Sequence, residues 1–263
     1  EKMRKVIAFL LLSVIFTSCI PLKQQVYFQG EPGDNDTLRK IQDEPYRLQV
    51  NDMLDIQIKS SDEKLVALFK QESTEGNNAQ RYTEENIYFT TYSIDKHGNI
   101  RLPYLGEINV LGYTTREVLE KIEKEFETFF KNPEDVFITV RLAGIRFTVI
   151  GEVGQTGTQV LYLNQVNLVQ AIASAGDIKI TGNRERVRVF RKNIDGTKEF
   201  RVNMLDINSF DSDNFFVQSN DIIYVEPLKQ KSWGTGTSGM QTITSLIAVL
   251  SLITTTILLV NNL

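Results

Sequence analysis

The chain of 263 residues has a single cysteine, Cys19, and a single histidine, His97. One cysteine excludes an intrachain disulfide and any zinc cluster built on thiolates. One histidine argues against a histidine-ligated metal and against a Ser-His-Asp triad. Positive charge is not in excess either: 29 Lys and Arg face 33 Asp and Glu, a net charge of −4. Nothing therefore points to a nucleic-acid partner. The carboxylates are scattered, and no two of them read as an acid–base pair. Catalytic residues, a metal site and a cofactor are all expected to be absent. The remainder, 41% hydrophobic and 24% charged, is ordinary for a globular body. The length suits one large or two small domains plus membrane segments.

The two ends depart from that ordinary body. Lys2, Arg4 and Lys5 precede the apolar run Val6 to Phe16. That run is too short to span a bilayer and fits the core of a signal peptide. It ends at Phe16-Thr17-Ser18-Cys19, which resembles the lipobox of bacterial lipoproteins, although Leu and Gly or Ala are usual where Phe16 and Ser18 stand. Residues 1–18 are expected to be a signal peptide and Cys19 to carry a palmitate-type acyl chain; a plain secretory signal is the alternative. At the other end, Met240 to Val260 contains no charged residue. At ~1.5 Å per residue it is about 31 Å long as a helix, which matches a hydrocarbon core of about 30 Å. A transmembrane helix is expected over 240–261. On a helical wheel Thr244, Ala248, Ser251 and Thr255 share one arc, suited to helix packing or to a lumen. Leu246, Leu250, Ile253 and Ile257 lie opposite and are expected to face lipid. Lys229 and Lys231 precede this segment and no Lys or Arg follows it. In an inner membrane that pattern would favour a cytoplasmic body, in conflict with the export signal. An outer membrane removes the conflict.

Between the ends, residues 19–44 read as a lipidated tether broken by Gly30, Pro32 and Gly33. Tyr46 to Ser60, broken at Asn51-Asp52, and Ile87 to Ile94 alternate as strands, with a hairpin turn at Asp95 to Asn99 that places His97 at its tip. Leu65 to Lys70 suggests a short helix. Thr114 and Glu117 form a capping-box signature, and Val118, Leu119, Ile122, Phe126 and Phe129 follow at helical spacing. Val136 to Leu142 alternates as a strand. A second unit brings a strand (146–153), a glycine-rich turn and a helix near 168–175 closed by Gly176. A hairpin across Asp195-Gly196 and a strand at 222–225 complete it. Gly106-Glu107-Ile108 and Gly151-Glu152-Val153 hint that the two units are related. Gly234 to Gly239 matches G-x-G-x-x-G in letters, but no acidic residue follows it. It reads as a hinge rather than a dinucleotide site.

With these stretches in place, the chain resembles the outer-membrane polysaccharide export proteins, the Wza-like translocons. Tyr46 to Leu54 and His97 to Gly106 are similar to the family's export-signature domain. Val149 to Val153, Leu168 to Gly176 and Asn220 to Val225 are similar to an SLBB domain, a β-grasp-like module. The resemblance implies an α+β protein with an export domain over 45–142, an SLBB domain over 143–228, a flexible linker over 229–239 and the terminal helix. It further implies a homo-oligomeric ring, typically an octamer, that passes capsular polysaccharide or exopolysaccharide across the outer membrane. An inner-membrane polysaccharide co-polymerase is the implied partner, and the acyl chain on Cys19 the only attached group. The best-known type has more than one SLBB unit. A periplasmic ligand-binding module and a non-transporting envelope scaffold are the competing readings.

Overall fold

A computed structural model describes residues 20–30, 45–60, 67, 69, 88–129, 136–193, 196–232, 244, 247–252, 254 and 255. The first unit contains β1 (Met53–Ser60), β2 (Tyr92–Ser93), β3 (Asn99–Leu102), β4 (Gly106–Asn109), α1 (Thr115–Phe129) and β5 (Val136–Leu142). β1 lies between β2 and β5 and runs antiparallel to both, while β3 and β4 form a separate hairpin. The expected capping box starts α1. The Thr114 N–H donates to the Glu117 carboxylate at 2.7 Å, and the Glu117 N–H donates to the Thr114 hydroxyl at 3.2 Å. Val118, Ile122 and Phe126 then fall on one face and are buried.

Three expectations for this unit need correction. The segment 46–50 forms no strand: it is a loop running into the turn at 50–51, and the first strand begins at Met53. Among the described residues of the expected strand 87–94, only Tyr92 and Ser93 join the sheet, where they pair with Leu54 and Met53 of β1. Tyr88 to Thr90 is helical, with Tyr88 and Phe89 exposed. The turn at 95–99 does form: the Asp95 carboxylate accepts the N–H groups of His97 and Asn99, both at 2.8 Å. It joins strands that pair elsewhere, so it is not a hairpin turn. His97 sits exposed on this turn, in the place expected for it.

The second unit contains β6 (Ile145–Gly151), β7 (Gly157–Leu161), β8 (Val166–Asn167), α2 (Leu168–Ser174), β9 (Gly182–Asn193), β10 (Gly196–Val202), β11 (Phe216–Val217) and β12 (Ile222–Pro227). Its main sheet has the order β10-β9-β12-β6-β7. The chain makes a hairpin, a helix and a second hairpin, and then inserts β12 between them. β12 runs parallel to β6 and antiparallel to β9. Inward residues Phe147, Val149, Val187, Val189, Ile223 and Val225 form the core with Leu168, Ala171 and Ile172 of α2. Asn167 and Gln170 cap α2 reciprocally.

The Gly-Glu steps of the two units are not equivalent. Gly106 opens β4 at a turn with open space around it, whereas Gly151 closes β6 against the β12 backbone. A Cβ at Gly151, where φ is +96°, would lie 2.1 Å from the Val225 carbonyl oxygen. The parallel pairing therefore requires glycine there.

Only Ala143 and Gly144 separate β5 from β6, and the Ala143 N–H donates to the Met53 carbonyl at 2.8 Å. Buried residues of both units belong to one apolar cluster. Residues 20–30 also differ from a free tether. The Phe28 and Gln29 N–H groups donate to the Met204 and Leu205 carbonyls, and Phe28 packs on Phe210 at 4.5 Å. Two adjacent aromatic rings give this polar stretch something to bury.

Candidate functional site

The two units meet through a turn that the chain uses twice. Gln49-Val50-Asn51-Asp52 precedes β1, and Gln218-Ser219-Asn220-Asp221 precedes β12. In each, the aspartate N–H donates to the glutamine carbonyl, at 3.1 and 3.2 Å. The aspartate carboxylate in turn accepts the glutamine N–H, at 2.7 and 2.9 Å. Asn51 and Asn220 take φ of +69° and +66°, a region in which asparagine is among the least strained non-glycine residues. The resemblance singled out both stretches, but not their likeness to each other. The signal that could have revealed it is the repeat Gln-x-Asn-Asp followed by apolar residues.

The turns face one another. The Gln49 amide donates to the Gln218 carbonyl oxygen at 2.7 Å. The Tyr46 hydroxyl lies 2.9 Å from the Asp52 carboxylate and 3.4 Å from the Ser219 hydroxyl. Both aspartates are buried, yet their surroundings differ. Asp221 receives two guanidinium hydrogen bonds from Arg191, at 2.9 and 2.7 Å, while Arg191 also donates to the Phe216 carbonyl. The bonds to Asp52 come from neutral donors, the Gln49 N–H, the Tyr46 hydroxyl and the Ser219 side chain. Burial pushes the Asp52 carboxyl above its usual range against the opposing pull of hydrogen bonds from Ser219, Gln49 and Tyr46. Burial, and then the Asp52 charge, also push the Tyr46 phenol up, which keeps it a donor.

The segments flanking the two units, around Tyr27 and Lys231, also attach to the second unit. The Tyr27 hydroxyl donates to Asp177, with the Arg184 guanidinium 5.1 Å from the Tyr27 ring centre. Burial, helped by the Asp177 hydrogen bond, raises the Tyr27 pKa to about 12. On the exit side, Glu152 accepts from Lys231 and from the Thr181 hydroxyl. Those two bonds hold its carboxyl below the ordinary value. Lys229–Ser232, the start of the expected flexible linker, forms a helical turn from which Lys231 reaches Glu152.

Among the residues singled out in the sequence, Cys19, Leu246, Ile253 and Ile257 lie outside the described residues, as does the glycine-rich stretch 234–239. Thr244, Ala248, Leu250, Ser251 and Thr255 are helical and exposed. The Ser251 hydroxyl donates to the Ile247 carbonyl and that of Thr255 to the Ser251 carbonyl, each at 2.7 Å. Thr254 donates to Leu250 and Ser251 in the same way. Among the described residues no helix is long and apolar enough to cross a membrane, so the terminal span is not established by the fold. Nor do three or more His, Cys, Asp or Glu residues among them converge as a metal site.

Comparison with known proteins identifies both units. Residues 40–143 match the family described as polysaccharide biosynthesis/export protein, and residues 145–225 match the SLBB domain. The chain thus carries a polysaccharide export domain followed by an SLBB domain. It is similar to the EPS I polysaccharide export outer membrane protein EpsA of Ralstonia solanacearum, at 33% identity over 142 residues. The EpsA of Ralstonia nicotianae matches at 33% over 141 residues. These matches cover 52% and 51% of this chain but only 36% and 35% of the relatives. The shared part is thus about a third of each relative. The junction turns, with Asp52 in the first match and Asp221 in the second, lie within the two matched domains.

Proposed function

We propose that this protein is a non-enzymatic subunit of an outer-membrane translocon, through which capsular polysaccharide or exopolysaccharide leaves the periplasm. The observation that carries this reading is the order of the two matched domains, export domain then SLBB domain, in a chain similar to proteins named for polysaccharide export at the outer membrane. The domain boundaries proposed above and the acyl chain on Cys19 belong to the same reading. So does the membrane-spanning helix over 240–261, with Thr244, Ala248, Ser251 and Thr255 facing neighbouring helices or a lumen. Subunits would join as a closed ring, taken as an octamer, through heterologous contacts between the two units of neighbouring chains. A rigid junction supports this, because a ring closes only if every subunit presents its two contact faces at the same angle. An inner-membrane co-polymerase would deliver the polymer.

Deleting the gene should leave polymer in the periplasm and remove it from the surface. A detergent-extracted protein that stays monomeric across a wide concentration range overturns the ring. Surface polymer unchanged in the deletion strain overturns the translocon, in favour of a binding module or a scaffold.

A further inference from the structure

Both ends of the folded body converge on one loop of the second unit, residues 177–181. From the N-terminal side, Tyr27 is bonded to Asp177. Arg184, stacked on the Tyr27 ring, donates to the Ile178 carbonyl at 2.6 Å and to that of Lys179 at 3.3 Å. From the C-terminal side, the Leu228 N–H donates to the Thr181 carbonyl at 2.7 Å, the Glu152 carboxylate gathers Lys231 and the Thr181 hydroxyl, and the Glu152 backbone carbonyl accepts the Lys179 N–H. Ile20 directly follows Cys19, and consecutive Cα atoms are about 3.8 Å apart. From Ile20 to Tyr27 even a fully extended chain covers roughly 25 Å, and a 3-10 turn at Leu22–Gln24 shortens it. An acyl chain rooted at Cys19 would therefore keep Tyr27, and with it Asp177, within roughly 30 Å of the bilayer.

The surface there has the matching chemistry. Leu22, Val26 and Ile180 are 74%, 45% and 56% exposed, Lys23 and Lys179 are exposed as well, and the two stretches are joined by the Tyr27–Asp177 bond. The carboxylates of this edge, Asp177 and Glu152, are already engaged by Tyr27 and by Thr181 and Lys231. Apolar tips beside lysines suit the boundary between headgroups and acyl chains, with ammonium groups reaching anionic headgroups. We infer that the edge bearing Leu22, Lys23, Val26, Lys179 and Ile180 docks on an anionic bilayer surface. The inference rests on the export reading for the acylation of Cys19, and names the lipid partner of the second unit.

The test uses the full acylated chain in vesicles of brominated phosphatidylcholine, with or without one part in four phosphatidylglycerol. The only tryptophan, Trp233, is replaced by Phe, and a new one is placed by Ile180→Trp or by Phe137→Trp, an exposed site on β5 of the first unit. Emission from position 180 should be quenched by the bromines, and emission from position 137 should not. Lys23→Glu with Lys179→Glu should weaken docking by about fivefold or more per lysine in anionic vesicles, seen as recovered emission at position 180. In neutral vesicles the same pair should change nothing. Equal emission from both positions, or quenching at 180 that ignores lipid charge, overturns the docking face. Export is judged separately: surface polymer lost on deletion without quenching at 180 sinks only the docking face. Quenching at 180 with surface polymer unchanged on deletion sinks only the export reading.

Discussion

The side-chain amide of Gln49 donates to the side-chain carbonyl of Gln218 at 2.7 Å, joining two copies of one turn that are 169 residues apart in the chain. Each glutamine is also the residue whose N–H its own turn aspartate holds. The bond thus ties two locally rigid turns rather than two loose side chains. A double-mutant cycle with Gln49→Ala and Gln218→Ala, followed by denaturant unfolding, should give a coupling of about 1 kcal/mol, the net worth of a part-buried neutral hydrogen bond. A coupling near zero would mean that the contact is incidental to the junction.

The two aspartates should respond differently to mutation. Asp221→Ala strands a buried Arg191 guanidinium, a change that costs about 3–5 kcal/mol. Asp52→Asn keeps an oxygen for the Gln49 N–H and removes a buried charge for which the structure gives only neutral donors. It should be within about 1 kcal/mol of wild type at neutral pH, on either side. Equal large losses for both would show that Asp52 has a cationic partner after all.

The same contrast sets a pH dependence. Burial raises the Asp52 pKa in the folded state. Between its ordinary unfolded value and that raised value, the folded chain keeps a proton that the unfolded chain has released. Stability from this group is therefore greatest below the window and falls as pH rises through it. Glu152 has the opposite sign. Its carboxyl is held low, chiefly by Lys231, so its contribution is present above the unfolded pKa and is lost as pH falls through the folded one. In unfolding midpoints measured against pH, Asp52→Asn should gain on wild type as pH rises, and Glu152→Gln should approach wild type as pH falls. Parallel curves for all three proteins would refute both assignments.

Much of this arrangement was legible in the sequence, because it is local. The capping box at Thr114 and Glu117, the alternation of β5, the turn at Asp95 and the glycine closing α2 all follow from neighbours a few residues apart. Register against distant strands was not legible, and it decided that Tyr92 and Ser93, but not Tyr88 and Phe89, would join β1. The packing of Tyr27 and Phe28 on the second unit was hidden for the same reason, since Asp177 and Phe210 lie far along the chain. The paired turns were written plainly in the residues. Only their meeting needed three dimensions.

Glycine chemistry separates two positions in the second unit. At Gly151 both a positive φ and the Val225 carbonyl exclude a side chain, whereas at Gly157, φ +140°, a Cβ meets no heavy atom within 4 Å. Gly157→Ala should cost only backbone strain, of order 1–3 kcal/mol. Gly151→Ala should cost more, because it must also push β12 off β6 and break the parallel pairing. Thermal unfolding of the two variants gives the order directly, and a reversed order would remove the close approach as the reason for glycine at 151.

The orientation of the terminal helix is best tested with charge, because hydroxyl groups cannot report it. Ser251, Thr254 and Thr255 donate to carbonyls one turn earlier on their own helix, so each could face hydrocarbon without an unsatisfied donor. Polarity alone therefore does not aim the Thr244, Ala248, Ser251 and Thr255 arc inward. In the proposed membrane span their small size would, since helices in lipid associate by close packing rather than by hydrophobic force. A charge at the centre of a membrane helix costs roughly 2.5–3.5 kcal/mol unless water or a partner relieves it. If the arc lines a wet lumen, Ser251→Asp should still assemble and export, while Leu250→Asp should fail to reach the membrane-inserted ring. If the arc is a dry packing face, both should fail, whereas Ser251→Ala should pass. Assembly of Leu250→Asp together with failure of Ser251→Asp would turn the helix around and place the leucine arc inside. Membrane fractionation followed by the mass of the extracted assembly distinguishes the three outcomes.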